Sequence, residues 1–182
     1  MPHGARLNCR IVGAAVAVAL VLVSATPVLA AQTRAHRSAL ALSSLEHGVL
    51  ADINAFRTQH HLVALRLSSP LTSAARAHTQ DMAARGYFAH ESADGSPVWQ
   101  RIRQFYPSNT FRYWSVGENL LWAPHVDAQG ALGLWLSSPE HRANLLKPSW
   151  REIGVAALRT PAGGAFHGLD VTILTTDFGV RR

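Results

Sequence analysis

Three short strings between residues 87 and 146 place the strongest constraint on what this chain can fold into. They read Tyr87-Phe88-Ala89-His90, Gly117-Glu118-Asn119-Leu120 and Ser138-Pro139-Glu140-His141-Arg142-Ala143-Asn144-Leu145-Leu146. Two histidines and at least one carboxylate thus come from separate segments, which is the material of a polar cleft. Such groups are costly to isolate in an apolar interior unless they find partners. The expected fold therefore brings His90, Glu118 and His141 into one solvent-reachable cleft, although each lies more than twenty residues from the next.

In this order and spacing the strings resemble the CAP superfamily of cysteine-rich secretory proteins, antigen 5 and plant pathogenesis-related proteins. The resemblance is greatest to its compact bacterial, SCP-like extracellular branch. It covers Leu45 to Phe178 and includes Asn54-Ala55-Phe56-Arg57, Leu71, Ala74-Ala75-Arg76-Ala77-His78, Met82, Ser96-Pro97, Trp135-Leu136 and Ile153-Gly154-Val155. It implies an α+β domain built as a three-layer α-β-α sandwich, and a cleft lined by two histidines and two acids. By motif, His90 and His141 match the histidines and Glu118 one acid. The twelve-residue step from His141 to Ile153 supports the assignment of His141. Glu140 either fills the second acidic role or caps its own helical turn.

Residues 1–30 read as a secretory signal peptide: Arg6 and Arg10 are basic, Ile11 to Val23 is apolar, and Val28-Leu29-Ala30 offers small residues before a break at Ala30 or Ala31. The apolar run is shorter than the roughly 20 residues needed to span a bilayer, and Pro27 interrupts its end, so membrane contact is expected only before cleavage. Residues 31–44 read as a linker and 45–182 as the domain. Cys9, the only cysteine, leaves with the leader, so the exported domain is disulfide-free. Core burial has to supply the stability that disulfides give the eukaryotic relatives.

Without Arg6 and Arg10 the chain keeps 15 basic residues against 11 acidic ones, a mild excess. Lys147 is the only lysine, and the arginines, Arg57 and Arg101 among them, are scattered. No basic run is interleaved with aromatics, which argues against a nucleic-acid partner. Weak attraction to anionic envelope polymers or lipid head groups remains open. No phosphate-binding glycine loop or Gly-x-Ser-x-Gly elbow is present.

Leu45, Val49, Ile53 and Phe56 recur at helical spacing and predict an amphipathic helix ending near His60. A second helix is expected from Pro70, capped by Ser69, to a stop at Gly86. Asp94-Gly95 predicts a tight bend, and Ser96-Pro97 opens a short helix through Val98, Ile102 and Phe105. Ser115 to Trp122 reads as extended, Asp127 to Ser137 as a helix and Glu140 to Leu146 as a helical turn. Glu152 to Leu158 and Asp170 to Phe178, rich in Val, Ile and Thr, read as strands.

Two imidazoles suit a divalent metal such as zinc, so His90 and His141 are candidate ligands of a weakly held ion, with no obligatory cofactor expected. The same groups could work as an acid/base pair without metal. His78 reads as a core histidine, while His60, His61, His125 and His167 read as solvent-facing. Asn119, Arg142 and Asn144 read as structural braces. Trp135 reads as core, and Trp114 and Trp122 as groove residues beside Glu118. The favoured function is a secreted, non-enzymatic module binding a lipid, a cell-envelope polymer or a protein. The alternative is a secreted hydrolase of peptide or ester bonds, metal-assisted or using His/Glu acid-base chemistry. No activated nucleophile is apparent to support it.

Overall fold

The computed structural model describes residues 42–161 and 164–182. The leader expected over 1–30, its cleavage point and nearly all of the 31–44 linker lie outside the described residues. Helix α1 (Ser44–Gln59) opens in a capping box: Ser43 Oγ accepts from the Glu46 amide at 3.2 Å, and the Ser43 amide donates to Glu46 Oε2 at 2.7 Å. The other oxygen of Glu46 accepts the Ala157 amide at 2.9 Å. One buried carboxylate therefore starts the helix and pins it to the sheet.

Val49 and Ile53 face the core as the periodicity predicts, but the next buried position is Arg57, not Phe56. Phe56 is only half-buried and meets the His60 ring edge-on at 4.5 Å. Arg57, expected among the scattered arginines, is fully enclosed. Its guanidinium donates to the carbonyls of Val63 (3.1 Å), Leu145 (2.6 Å) and Lys147 (3.2 Å). Its planar fork of donors allows an arginine to replace an apolar side chain here, because it satisfies carbonyls at a helix end that would otherwise be buried bare.

After the two-residue strand β1 (Arg66–Leu67), helix α2 (Ser69–Arg85) begins one residue earlier than predicted, with Ser68 at the cap and Pro70 in the first turn. It ends where Gly86 turns left-handed at φ 67°. Strand β1 escaped the sequence reading because two exposed residues carry no alternation. Helix α3 (Val98–Phe105) follows the Asp94-Gly95 bend, then come β2 (Trp114–Ala123), α4 (Ala128–Ser137), α5 (Pro139–Leu145), β3 (Glu152–Thr160), a 3-10 turn (Gly164–Phe166) and β4 (Val171–Arg181).

The strands form one sheet in the order β1-β3-β4-β2, with β1 parallel to β3 and the other neighbours antiparallel. Central β4 is buried without interruption from Ile173 to Val180, as expected of a strand covered on both faces. On one face Ile153, Val155, Leu174 and Phe178 pack with Ile53, Trp135, Leu145 and Trp150. On the other, Leu71, Ala74, Ile102 and Tyr106 form one cluster, and Met82, Leu120, Phe166 and Ile173 another. The result is the three-layer α-β-α sandwich, with α2 and α3 on one side and α1, α4 and α5 on the other. Helix α2 lies close against the sheet at Gly154, where a Cβ would lie 2.1 Å from the Leu71 carbonyl carbon. Strand β2 is one of the two edge strands, opposite β1, and it carries Glu118.

Candidate functional site

Glu118 faces the α2/α3 side of the sheet, with its side chain only 1% exposed. Its Oε1 lies 2.8 Å from His90 Nδ1, and its Oε2 accepts from Arg101 Nη2 of α3 at 2.6 Å. His90 sits beyond the left-handed end of α2, and its side chain is 48% exposed. With Nδ1 on the carboxylate, Nε2 remains as the other ring nitrogen for a ligand. The bond to Glu118 raises His90 above the ordinary imidazole pKa, outweighing partial burial.

His78 of α2 is enclosed, as expected of a core histidine, yet it borders the same carboxylate. Its Nε2 lies 2.9 Å from the Ala89 carbonyl and 4.0 Å from Glu118 Oε2. Burial lowers its pKa, against the pull of Glu118. Across the sheet Glu118 is in register with Asp177 of β4, which is completely buried.

On the opposite face of β2, an amide network fixes the backbone. Asn144 Nδ2 donates to the Glu118 carbonyl at 3.1 Å and to Asn119 Oδ1 at 2.9 Å. Asn119 Nδ2 donates to the His141 carbonyl at 3.1 Å. Trp150 Nε1 donates to both Asn144 oxygens, at 3.0 and 3.1 Å. The second and third strings are therefore tied together by their asparagines, which join the main chain at Glu118 to the main chain at His141. Gly117 is required here, since a Cβ would meet the Trp150 ring at 2.8 Å. Arg142, by contrast, is exposed.

His141 lies in α5, half-buried. Its pKa is lowered by burial and by the charge of His90, partly offset by Glu140. Glu140 is exposed in the first turn of α5, where an acid favours the helix N-terminus, and its charge raises His141. His141 also lines a groove of about 300 Å³ along β2 with Phe88, Leu120, Leu121, Trp122, Leu134 and Trp135. Trp122 thus belongs to this groove. Trp114 does not: it packs against the cluster of Leu71, Ala74, Ile102 and Tyr106, and its Nε1 donates to the Tyr106 carbonyl at 2.9 Å. His60, His61, His125 and His167 are exposed.

Sequence reading missed Arg101 and Asp177, and missed that His78 borders Glu118. The available signals were an arginine within the apolar spacing of α3 and an aspartate inside a Val/Ile/Thr-rich strand. Among the described residues no group of three or more His, Cys, Asp or Glu is arranged to hold a metal ion. No described helix is long and apolar enough to cross a membrane.

Known proteins resemble the chain over this same region. The uncharacterized protein YkwD of Bacillus subtilis (strain 168) is 31% identical over 133 residues, 72% of this chain and 50% of its own length. The uncharacterized membrane protein YlbC of the same organism is 29% identical over 114 residues, 63% of this chain and 32% of its own length. The chain thus spans half or less of these curated relatives. An extracellular protein containing a SCP domain from Bacillus anthracis superimposes with a TM-score of 0.57 at 26% identity, covering 78% of this chain and 45% of that one. An outer surface protein from Borrelia burgdorferi shares the fold with a TM-score of 0.57 at 21% identity, covering 74% and 90% of the two chains. The profile of the cysteine-rich secretory protein family matches residues 50–178, and the chain belongs to this CAP family.

Proposed function

We propose that this protein is exported, loses residues 1–30 as a signal peptide, and acts outside the cell or in its envelope as a non-enzymatic binding module. Its ligand is amphipathic, of lipid type, with an apolar chain in the groove along β2 and a polar head at His90 and His141. The observation that carries this reading is the pairing of an apolar groove containing Phe88, Trp122 and Trp135 with His141 in its wall. Apolar burial supplies affinity, and a few fixed polar groups supply orientation. The Glu118 bond on His90 Nδ1 supports the orienting role, because it fixes the ring.

The two imidazoles can also receive a divalent cation such as zinc. With no third ligand grouped beside them among the described residues, such an ion would be held weakly and would keep exchangeable positions. A hydrolase reading has one observation in its favour, a histidine oriented by a carboxylate. It needs a nucleophile, and no described hydroxyl is hydrogen-bonded to His90.

Titration of the exported chain with a long-chain fatty acid, followed by tryptophan fluorescence, tests the proposal. Saturable binding is expected, with weakening on Trp122→Ala or on a charge at Leu134, which is 49% exposed at the groove. Equal response to acetate, or no effect of either substitution, overturns the lipid-type ligand. Cell-envelope polymers and protein partners would then be the next ligands to test. Turnover on a peptide and ester panel that is lost in His90→Ala would establish the hydrolase instead.

A further inference from the structure

Arg101 serves two carboxyl groups but reaches only one of them. Its Nη2 is 2.6 Å from Glu118 Oε2, whereas its Nη1 is 3.8 Å from Asp177 Oδ2, too far for a hydrogen bond. Among the described residues neither oxygen of Asp177 has a hydrogen-bond partner, and Arg101 Nε and Nη1 are equally without one. Asp177 nevertheless lies completely buried on the central strand, directly opposite Glu118. Side chains so paired on one face have Cβ atoms about 4.5–5.5 Å apart.

We infer that Asp177 is a neutral carboxylic acid that donates its proton to Glu118 and so positions the carboxylate that orients His90. Among the described residues the groups around it give it no hydrogen bond, and the nearest cations, Arg101 and a protonated His90, both bond Glu118. Strand β2 supplies Glu118, and α3 supplies Arg101, whose Nη2 goes to Glu118 while its Nη1 stays 3.8 Å from Asp177 Oδ2. Strand β3 presents Gly154, which has no side chain. From α2, His78 is turned to Glu118 and the Ala89 carbonyl, and its burial favours the neutral ring. Two carboxylates sharing one guanidinium in a closed site would leave an uncompensated negative charge, which one proton removes.

The proton belongs on Asp177 because Glu118 is the oxygen pair that already has an arginine and a histidine nitrogen against it. Once protonated, Asp177 carries a donor of its own, and Glu118 is its acceptor across the sheet. Burial and the Glu118 charge both push the Asp177 carboxyl well above the usual carboxylate range. Glu118 is then occupied from three directions, so its role is to hold the His90 ring. The inference builds on the cleft reading but does not require any ligand to be found.

Carbon-13 NMR of aspartate-labelled exported protein, without ligand, is the direct test, with Asp177→Asn assigning the resonance. The Asp177 Cγ shift is expected to stay at the carboxylic-acid position from about pH 5 to pH 8. A carboxylate shift at neutral pH overturns the inference. Asp177→Asn keeps an N–H donor for Glu118, so the nitrogen-15 signature of His90 protonated on Nδ1 should match that of the original protein. Asp177→Leu, which fills space without donating, should mix the two His90 tautomers. If the leucine variant folds and leaves the His90 tautomer unchanged, the positioning role is wrong. If it does not fold, a changed His90 tautomer in Asp177→Asn overturns the role instead. Fatty-acid binding is a separate measurement, so its failure would count against the cleft reading and leave the protonation of Asp177 as measured.

Discussion

His90 Nδ1 and Glu118 Oε1 meet at 2.8 Å across twenty-eight residues of chain, joining a half-exposed ring to an enclosed carboxylate. The exposed partner can respond to solvent and ligand, while the buried one is held by Arg101 behind it. His141, without such a carboxylate, shifts in the opposite direction. The two histidines are therefore chemically distinct.

Histidine titration by NMR should place His90 above the ordinary imidazole pKa and His141 below it, and Glu118→Gln should lower His90. Linkage gives the sign for stability. The contribution of His90 is fully present below its unfolded pKa of about 6.5 and is lost as pH rises through its raised folded value. His141 behaves inversely: its contribution is present above about 6.5 and lost as pH falls through its lowered folded value. The melting-temperature deficit of His90→Ala should consequently be larger at about pH 5.5 than at about pH 8.5. An equal deficit at both pH values would show that the Glu118 contact does not favour the protonated ring.

The helices were legible because their apolar spacing and their stops are local. Gly86 ends α2 and Pro97 precedes α3 through conformational preferences that need no tertiary partner. Strand β4 was legible as a buried Val/Ile/Thr run, and the site strings through their resemblance to a family. Arg57, Arg101 and Asp177 were not legible, because their burial depends on partners far along the chain. Arg57 is buried because carbonyls at the end of α5 meet it, eighty-eight residues away at Leu145. Arg101 is buried because Glu118 comes down from an edge strand. Composition makes an arginine look exposed until its acceptor is known. Trp114 and Trp122 both flank Glu118 in sequence, but only the second borders the groove along β2.

Glycine-to-alanine changes at two positions should have opposite signs. Gly154→Ala forces a methyl to within 2.1 Å of the Leu71 backbone, which cannot rotate away. It should destabilise by about 3 kcal/mol or more, at or beyond the upper end of overpacking costs. Gly133, inside α4, has nothing within 4 Å of its built Cβ. Gly133→Ala should stabilise by about 0.5–1 kcal/mol through helix propensity. Urea unfolding measures both, and a neutral Gly154→Ala would show that α2 can shift away from the sheet.

Arg57→Ala should cost about 3 kcal/mol or more, since it strips donors from buried carbonyls at roughly 1–3 kcal/mol each and leaves a cavity. Arg57→Lys should recover only part of that loss, because one ammonium cannot reproduce a planar fork that reaches Val63 and Leu145 together. Chemical denaturation of the two variants checks the order. A loss below about 1 kcal/mol for the alanine variant would mean that water replaces the guanidinium at these carbonyls.

Asn144→Ala tests whether the network behind β2 holds the two sides of the cleft together. The substitution removes the donor to the Glu118 carbonyl and to Asn119 Oδ1, and it removes one acceptor of Trp150 Nε1. Asn119 then loses its orienting partner, and its own bond to the His141 carbonyl should loosen. With several half-buried polar atoms left unpaired, a loss of about 2–4 kcal/mol is expected by denaturation. The distinguishing consequence lies at the cleft, since a brace acts on position as well as stability. Backbone amide shifts should move at both Glu118 and His141, on separate elements, in Asn144→Ala. Asn144→Asp keeps the acceptor for Trp150 but removes the donors, so it should disturb Glu118 and His141 while sparing the Trp150 indole resonance. If shifts in either variant stay confined to α5, the two strings are positioned independently, and the asparagines serve only the local turn.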